Sequence, residues 1–224
     1  MADFEEETAS KKLGDFIGRN RKCFIAVLVV LVCFLIGLVV GVSVNNSNKL
    51  KGLQALDEIS YEMTQKSSDI EEAEVATRLS TAFEKAEPYT KKGGIVGARA
   101  NMLCADITYL QNKYEDSANY WKAAADKAKK TYIAPLSYFN AAACYEELGN
   151  LAEAEANYKI ALDNKDFVMR SHAMFSYGRV LEAQSKYADA LAAYKDLNSN
   201  FPDDSWANLA KSRIIALQNE GKAE

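Results

Sequence analysis

The chain has 224 residues, with 27 basic and 31 acidic side chains and a formal charge of −4, so it lacks the basic footprint that nucleic-acid binding requires. Three prolines, eleven glycines and abundant alanine permit long helices almost everywhere, and the expected fold class is all-α. One or two domains fit this length.

Residues 1–23 form a polar tail, acidic at Glu5–Glu7 and then basic at Lys11, Lys12, Arg19, Arg21 and Lys22. Residues 24–44, FIAVLVVLVCFLIGLVVGVSV, carry no charge over 21 positions. As a helix they cover about 32 Å, against a hydrocarbon core of about 30 Å. The run is too long for the apolar part of an ordinary signal peptide and lacks a small-residue cleavage site. It therefore reads as an uncleaved transmembrane signal anchor. Cys33 follows Val32 in mid-run, which disfavours a lipoprotein signal. Only Lys49 and Lys51 follow the span closely, so the positive-inside rule puts the N-terminus in the cytoplasm and residues 45–224 across the membrane. In a two-membrane bacterium that is the periplasm, and the membrane is the inner one; in a eukaryote it would be the ER lumen. Gly37 and Gly41 make a G-x-x-x-G that reads either as a transmembrane helix contact or as ordinary span glycines.

Residues 45–97 hold two expected helices. One covers 50–66, with Leu53, Leu56, Ile59 and Met63 on one face. The other covers 69–87, with Ile70, Ala73, Leu79, Ala82, Phe83 and Ala86, and stops at Pro88. Lys91–Gly94 then links into three units beginning near 98, 135 and 171. Each unit pairs two amphipathic runs. The second run repeats one spacing: Tyr114, Ser117, Trp121, Ala124, then Leu151, Ala154, Tyr158, Ala161, then Tyr187, Ala190, Tyr194, Leu197. Unit positions 8, 20 and 27 hold small residues in nearly every case: Ala105, Ser117 and Ala124, then Ala142, Ala154 and Ala161, then Gly178, Ala190 and Leu197. Large side chains there would hold the paired helices apart. After Pro202, an N-cap at Asp203 or Asp204 opens a closing helix with Trp206, Leu209, Ala210, Ile214 and Leu217, and residues 205–224 read as a C-terminal cap.

This pattern over residues 98–204 resembles the tetratricopeptide repeat, a helix–turn–helix of 34 residues. It departs from it at position 4, where Asn101, Tyr138 and Met174 stand in place of the frequent Trp, and at Leu197. The resemblance implies an α-solenoid behind the single N-terminal span, with residues 45–97 as juxtamembrane helices and N-terminal cap or degenerate repeat. It also implies a protein-binding groove lined by first-helix positions 2, 5, 9 and 12. Here these are Arg99, Met102, Asp106 and Tyr109, then Leu136, Phe139, Ala143 and Glu146, then His172, Phe175, Arg179 and Glu182. Met102, Phe139 and Phe175 read equally well as packing between repeats.

Enzymatic chemistry finds few residues to use. His172 is the only histidine and has no second group to orient it as a general base. Cys104 and Cys144 read as two buried thiols or as a disulfide in an oxidising compartment. No metal-ligand spacing and no phosphate-binding glycine motif occur, so no cofactor or metal is expected. The layout is similar to the YfgM-like membrane-anchored proteins, ancillary to the Sec translocon, which implies partners among the translocon, periplasmic chaperones and emerging chains. The alternatives are a scaffold for envelope assembly or cell division, and a structural homo-oligomer built through the span and residues 50–66.

Overall fold

The computed structural model describes residues 2–65 and 71–222, with side chains from residue 10 onward. Among the described residues there are ten helices and no strands, so the fold is all-α. Ile70, the start of the helix expected at 69 and the last two residues of the cap lie outside the described residues. Two compact units form, Met1–Lys51 and Gly52–Glu224.

The first unit holds α1 (Ala2–Arg19) and most of α2 (Arg21–Thr64). The stretch 24–44 is helical and long and apolar enough to cross a membrane. The expected break between 44 and 50 is absent, because α2 runs straight through it. Asn45, Asn46 and Ser47 are only weak helix formers, and no proline or glycine stands between Val44 and Lys51 to stop it.

The second unit contains the end of α2, then α3 (Glu72–Thr90), α4 (Gly94–Leu110), α5 (Tyr114–Lys127), α6 (Ile133–Glu147), α7 (Leu151–Leu162), α8 (Arg170–Ala183), α9 (Tyr187–Asn200) and α10 (Ser205–Asn219). Helix α3 continues through Pro88 rather than ending before it. Ala86 and Thr90, one turn apart, are both buried, and their packing outweighs the single backbone bond that proline removes. Ala73, expected on the buried face of α3, is exposed, as is every residue of that helix up to Thr77. Leu56, Ile59, Leu79, Ala82, Ala86, Val96, Ala100, Cys104 and Ile107 form one core cluster that ties the end of α2 and α3 to α4.

Helix pairs α4–α5, α6–α7 and α8–α9 are the three units. All nine residues at positions 8, 20 and 27 are buried: Ala105, Ser117, Ala124, Ala142, Ala154, Ala161, Ala190 and Leu197 are fully inaccessible, and Gly178 joins them. Leu197, larger than the usual alanine, packs in one cluster with Ala207 and Ala210 of α10, whose small side chains leave it room. Each pair turns through a left-handed residue at position 15: Asn112 (φ 59°), Gly149 (φ 71°) and Ser185 (φ 60°). The next N–H then bonds back to the carbonyl at position 11, Lys113 to Thr108 and Asn150 to Tyr145 at 2.8 Å and Lys186 to Leu181 at 2.9 Å. This is the Schellman closure of a helix C-terminus, made three times in register. Asp204 is the N-cap of α10: its Oδ1 accepts from the Trp206 N–H at 2.8 Å, and its Oδ2 accepts from the Ser171 hydroxyl at 2.9 Å.

The crossings predict a size test. Ala154→Leu and Ala190→Leu each overpack a fully buried site and should cost about 1–3 kcal/mol. Glu153→Gln, on the exposed side of α7, should stay within about 0.5 kcal/mol in the same urea melts.

Candidate functional site

Helix α4 approaches α6 and α8 approaches α10, while α6 meets α8 through the Phe139–His172 rings and the Glu146–Arg179 pair. The first helices therefore line the inner face. Every side-chain link between successive first helices lies there. Arg99 of α4 reaches back to Asp57 of α2 at 2.7 Å. The Tyr109 hydroxyl donates to Glu147 of α6 at 3.4 Å, and its phenol is raised by burial and then by that carboxylate.

Two further links repeat in register. Glu146 accepts the Tyr158 hydroxyl at 2.5 Å and pairs with Arg179 of the next unit at 2.7 Å. Thirty-six residues on, Glu182 accepts the Tyr194 hydroxyl at 3.1 Å and pairs with Arg213 of α10. Both phenols are pushed well up, first by burial and then by their carboxylate partners. Each carboxylate thus joins its own hairpin to the following helix. The residues that the sequence offered to a ligand, Glu146, Arg179 and Glu182, are engaged with one another and with Arg213. Arg213 was not among the expected residues, although its place 34 residues after Arg179 equals the length of the tetratricopeptide repeat.

The apolar candidates divide. Phe139 is 6% exposed and packs on the rings of Tyr158 (5.6 Å), Phe167 (6.1 Å) and His172 (4.8 Å), so it is core between repeats. Leu136 and Met102 are half-buried against neighbouring clusters. Phe175 is half-buried, 5.8 Å from Tyr194 and 5.4 Å from Trp206, with one edge open. His172 lies flat on Trp206, with centroids 3.8 Å apart and planes 6° from parallel. Burial and then the charge of Arg179 hold its imidazole below the ordinary value, against a smaller opposite pull from Asp204.

Between its lowered folded value and the usual value of about 6.5, the unfolded chain binds a proton that the folded chain refuses. The stability from the neutral ring is complete above about pH 6.5 and is lost as pH falls. Melts at about pH 7.5 and 5 should show a loss in the parent that is smaller in His172→Phe, which keeps a stacking ring and cannot titrate.

Asp106 is solvent-exposed and has no ion-pair partner among the described residues, yet burial pushes its carboxyl up to about 6. Further along, a depression of about 380 Å³ is lined by Phe175, Arg179, Glu182, Tyr187, Arg213 and Lys222. A larger cleft of about 670 Å³ lies between α3, α4 and α5, on the second-helix side, and holds none of the residues that the sequence offered to the groove. Its only aromatic lining is Phe83 and Tyr120, already in edge contact at 5.9 Å.

The thiols of Cys104 and Cys144 are free and fully buried. The Cys144 Sγ donates to the Ser117 Oγ at 3.3 Å, and burial pushes the Cys104 thiol up to about 12. Both are packing residues with little thiolate. In the first unit, a Cβ on Gly37 or Gly41 would meet nothing within 4 Å, so both glycines stand open on the helix surface.

Stacked helix hairpins with a continuous core and an inner face of first helices define an α-solenoid of the kind that binds other proteins. A family model for the tetratricopeptide repeat matches residues 105–168 and 154–205. The chain is also similar to a TPR repeat-containing protein of Treponema pallidum (strain Nichols), at 37% identity over 130 residues, 58% of this chain and 54% of that one. Residues 105–205 are thus matched as tetratricopeptide repeats, and the chain spans about half the length of the curated relative it matches. Repeats of this kind indicate protein–protein interaction and typically belong to non-catalytic scaffolds.

Proposed function

We propose that this is a non-enzymatic adaptor, anchored by residues 24–44 in the inner membrane, whose repeats face the periplasm and hold partner proteins during translocation or folding. The basic residues Lys11, Lys12, Arg19, Arg21 and Lys22 ahead of the span, with only Lys49 and Lys51 close behind, support the orientation. The translocation role rests on the likeness in layout to the YfgM-like proteins. The observation that carries the binding reading is the inner face itself. Asp106 is free at one end, and at the other the open edge of Phe175 borders a depression of about 380 Å³. Buried rings and paired charges hold the surface between them in a fixed shape, which suits an extended segment of a partner.

Photo-crosslinking side chains at Asp106 and at Ala183, which borders the depression, should capture partners in native membranes. The same group at Ile160 on α7 should not. Products from Ile160 alone would move binding to the second-helix side. An export-dependent phosphatase fused to the C-terminus should be active, and activity of a cytoplasm-only reporter there instead would reverse the orientation.

A further inference from the structure

We propose that α1, from Lys11 onward, docks on the headgroup layer of an anionic lipid membrane, with Leu13, Phe16 and Ile17 facing the acyl chains. This rests on the reading that residues 24–44 cross that same membrane. The three apolar side chains are 60%, 52% and 48% exposed. Their spacing puts them on one stripe, and the Phe24 ring at the start of α2 meets Phe16 at its end. Lys11, Lys12, Arg19 and Lys22 fall on the remaining surface, where Asp15 is the one acid between residues 10 and 22. The acidic residues Asp3 and Glu5–Glu7 precede this stretch.

The junction with α2 supplies the geometry. The two helices break at Asn20, which keeps its own backbone bonds on the apolar side: its N–H donates to the Phe16 carbonyl at 3.1 Å, its carbonyl accepts from the Phe24 N–H at 3.0 Å, and its side-chain Nδ2 donates to the Phe16 carbonyl at 2.9 Å. Across it, the rings of Phe16 and Phe24 meet edge to face with centroids 6.1 Å apart. In a straight helix their Cα atoms would stand about 12 Å apart, and both side chains would lean the same way, toward the N-terminus. Leaning alone cannot bring the two rings together, so the chain closes toward its apolar side at Asn20. The stripe of α1 and the entry to the span thus occupy the inside of one corner. A bilayer filling that corner takes the span into its hydrocarbon and α1 into its interface, with the basic side chains at headgroup level.

The test uses the full chain reconstituted into vesicles of phosphatidylcholine, alone or mixed equally with phosphatidylglycerol, with bromine near the headgroup end of the acyl chains to read position 16 and near their methyl end to read position 35. Phe16→Trp reports α1 and Leu35→Trp reports the span. The unchanged chain gives the background from Trp121 and Trp206. The expected result is quenching at position 16 in anionic vesicles, reduced by roughly twofold or more in neutral ones or when Lys11, Lys12 and Arg19 are all changed to Gln. Quenching at position 35 without quenching at 16 would overturn the docking of α1 and leave the anchor intact. Quenching at neither position would remove the anchor as well. Equal quenching at 16 in both lipids would overturn the anionic headgroup as its partner.

Discussion

Gly97→Ala should destabilise the first repeat by about 3 kcal/mol or more, although alanine is the better helix former by about 1 kcal/mol. A Cβ built at Gly97 lies 1.9 Å from the Lys92 carbonyl oxygen and 2.9 Å from the Lys127 side chain. The lysine side chain can move aside, but the carbonyl is backbone. It is held because the turn before α4 doubles back through Gly94, at φ 59°. Asn101 fastens the same corner: it is buried, and its Nδ2 donates to the Thr90 carbonyl at 3.1 Å and the Gly97 carbonyl at 2.7 Å. Moving the turn to admit a methyl group would break these bonds and open the joint between α3 and α4. Gly93→Ala is the control, since a Cβ there meets nothing within 4 Å and φ is an ordinary −81°. It should stay within about 1 kcal/mol. The fluorescence of Trp121, buried in the first repeat, reports both variants in urea.

That corner also shows how far the sequence could be read. Asn101 stands where the repeat pattern often has tryptophan, and the residue alone gives no reason for the change. The reason lies eleven residues earlier, in the Thr90 carbonyl, on a helix that the rule for proline ended before Pro88. The hairpin crossings were legible, because a small residue recurring at a fixed place has one local cause, the close approach of two helices. The inner face was legible only as a set of positions. Phe139 and Phe175 share position 5, yet Phe139 is covered by Phe167 and His172 while Phe175 keeps an open edge beside Trp206. Which ring is covered depends on what the next unit puts above it. The charges behave likewise. Glu146 and Arg179 read as ligand contacts until the stacking of units sets them 2.7 Å apart. Pairings across 33 residues depend on how one repeat is rotated on the next, and spacing within a repeat does not encode that rotation.

Tyr194→Ala should be the most damaging single change in the last repeat, at about 3–5 kcal/mol. The side chain is fully buried, its ring packs on Phe175, and its hydroxyl donates to Glu182. Tyr194→Phe separates the two contributions. It keeps the ring and leaves Glu182 still bonded to the Arg213 Nε at 3.1 Å, so it should cost only about 0.5–1.5 kcal/mol. The ring lies across Gly178 on the facing helix, where an added Cβ would sit 2.6 Å from the Tyr194 Cε1. A buried ring between packed helices cannot swing away, so Gly178→Ala alone should cost about 1–3 kcal/mol despite its gain in helix propensity. The two sites must then couple. Once Tyr194→Ala has emptied the space, a methyl group at 178 meets no ring and only the propensity gain remains, about 1 kcal/mol in favour of alanine. Gly178→Ala should therefore change sign, destabilising the parent and stabilising the Tyr194→Ala chain. Urea melts of the four proteins, followed through Trp206, measure the cycle. If Gly178→Ala costs the same in both backgrounds, the glycine serves the backbone of α8 rather than the approach of α9.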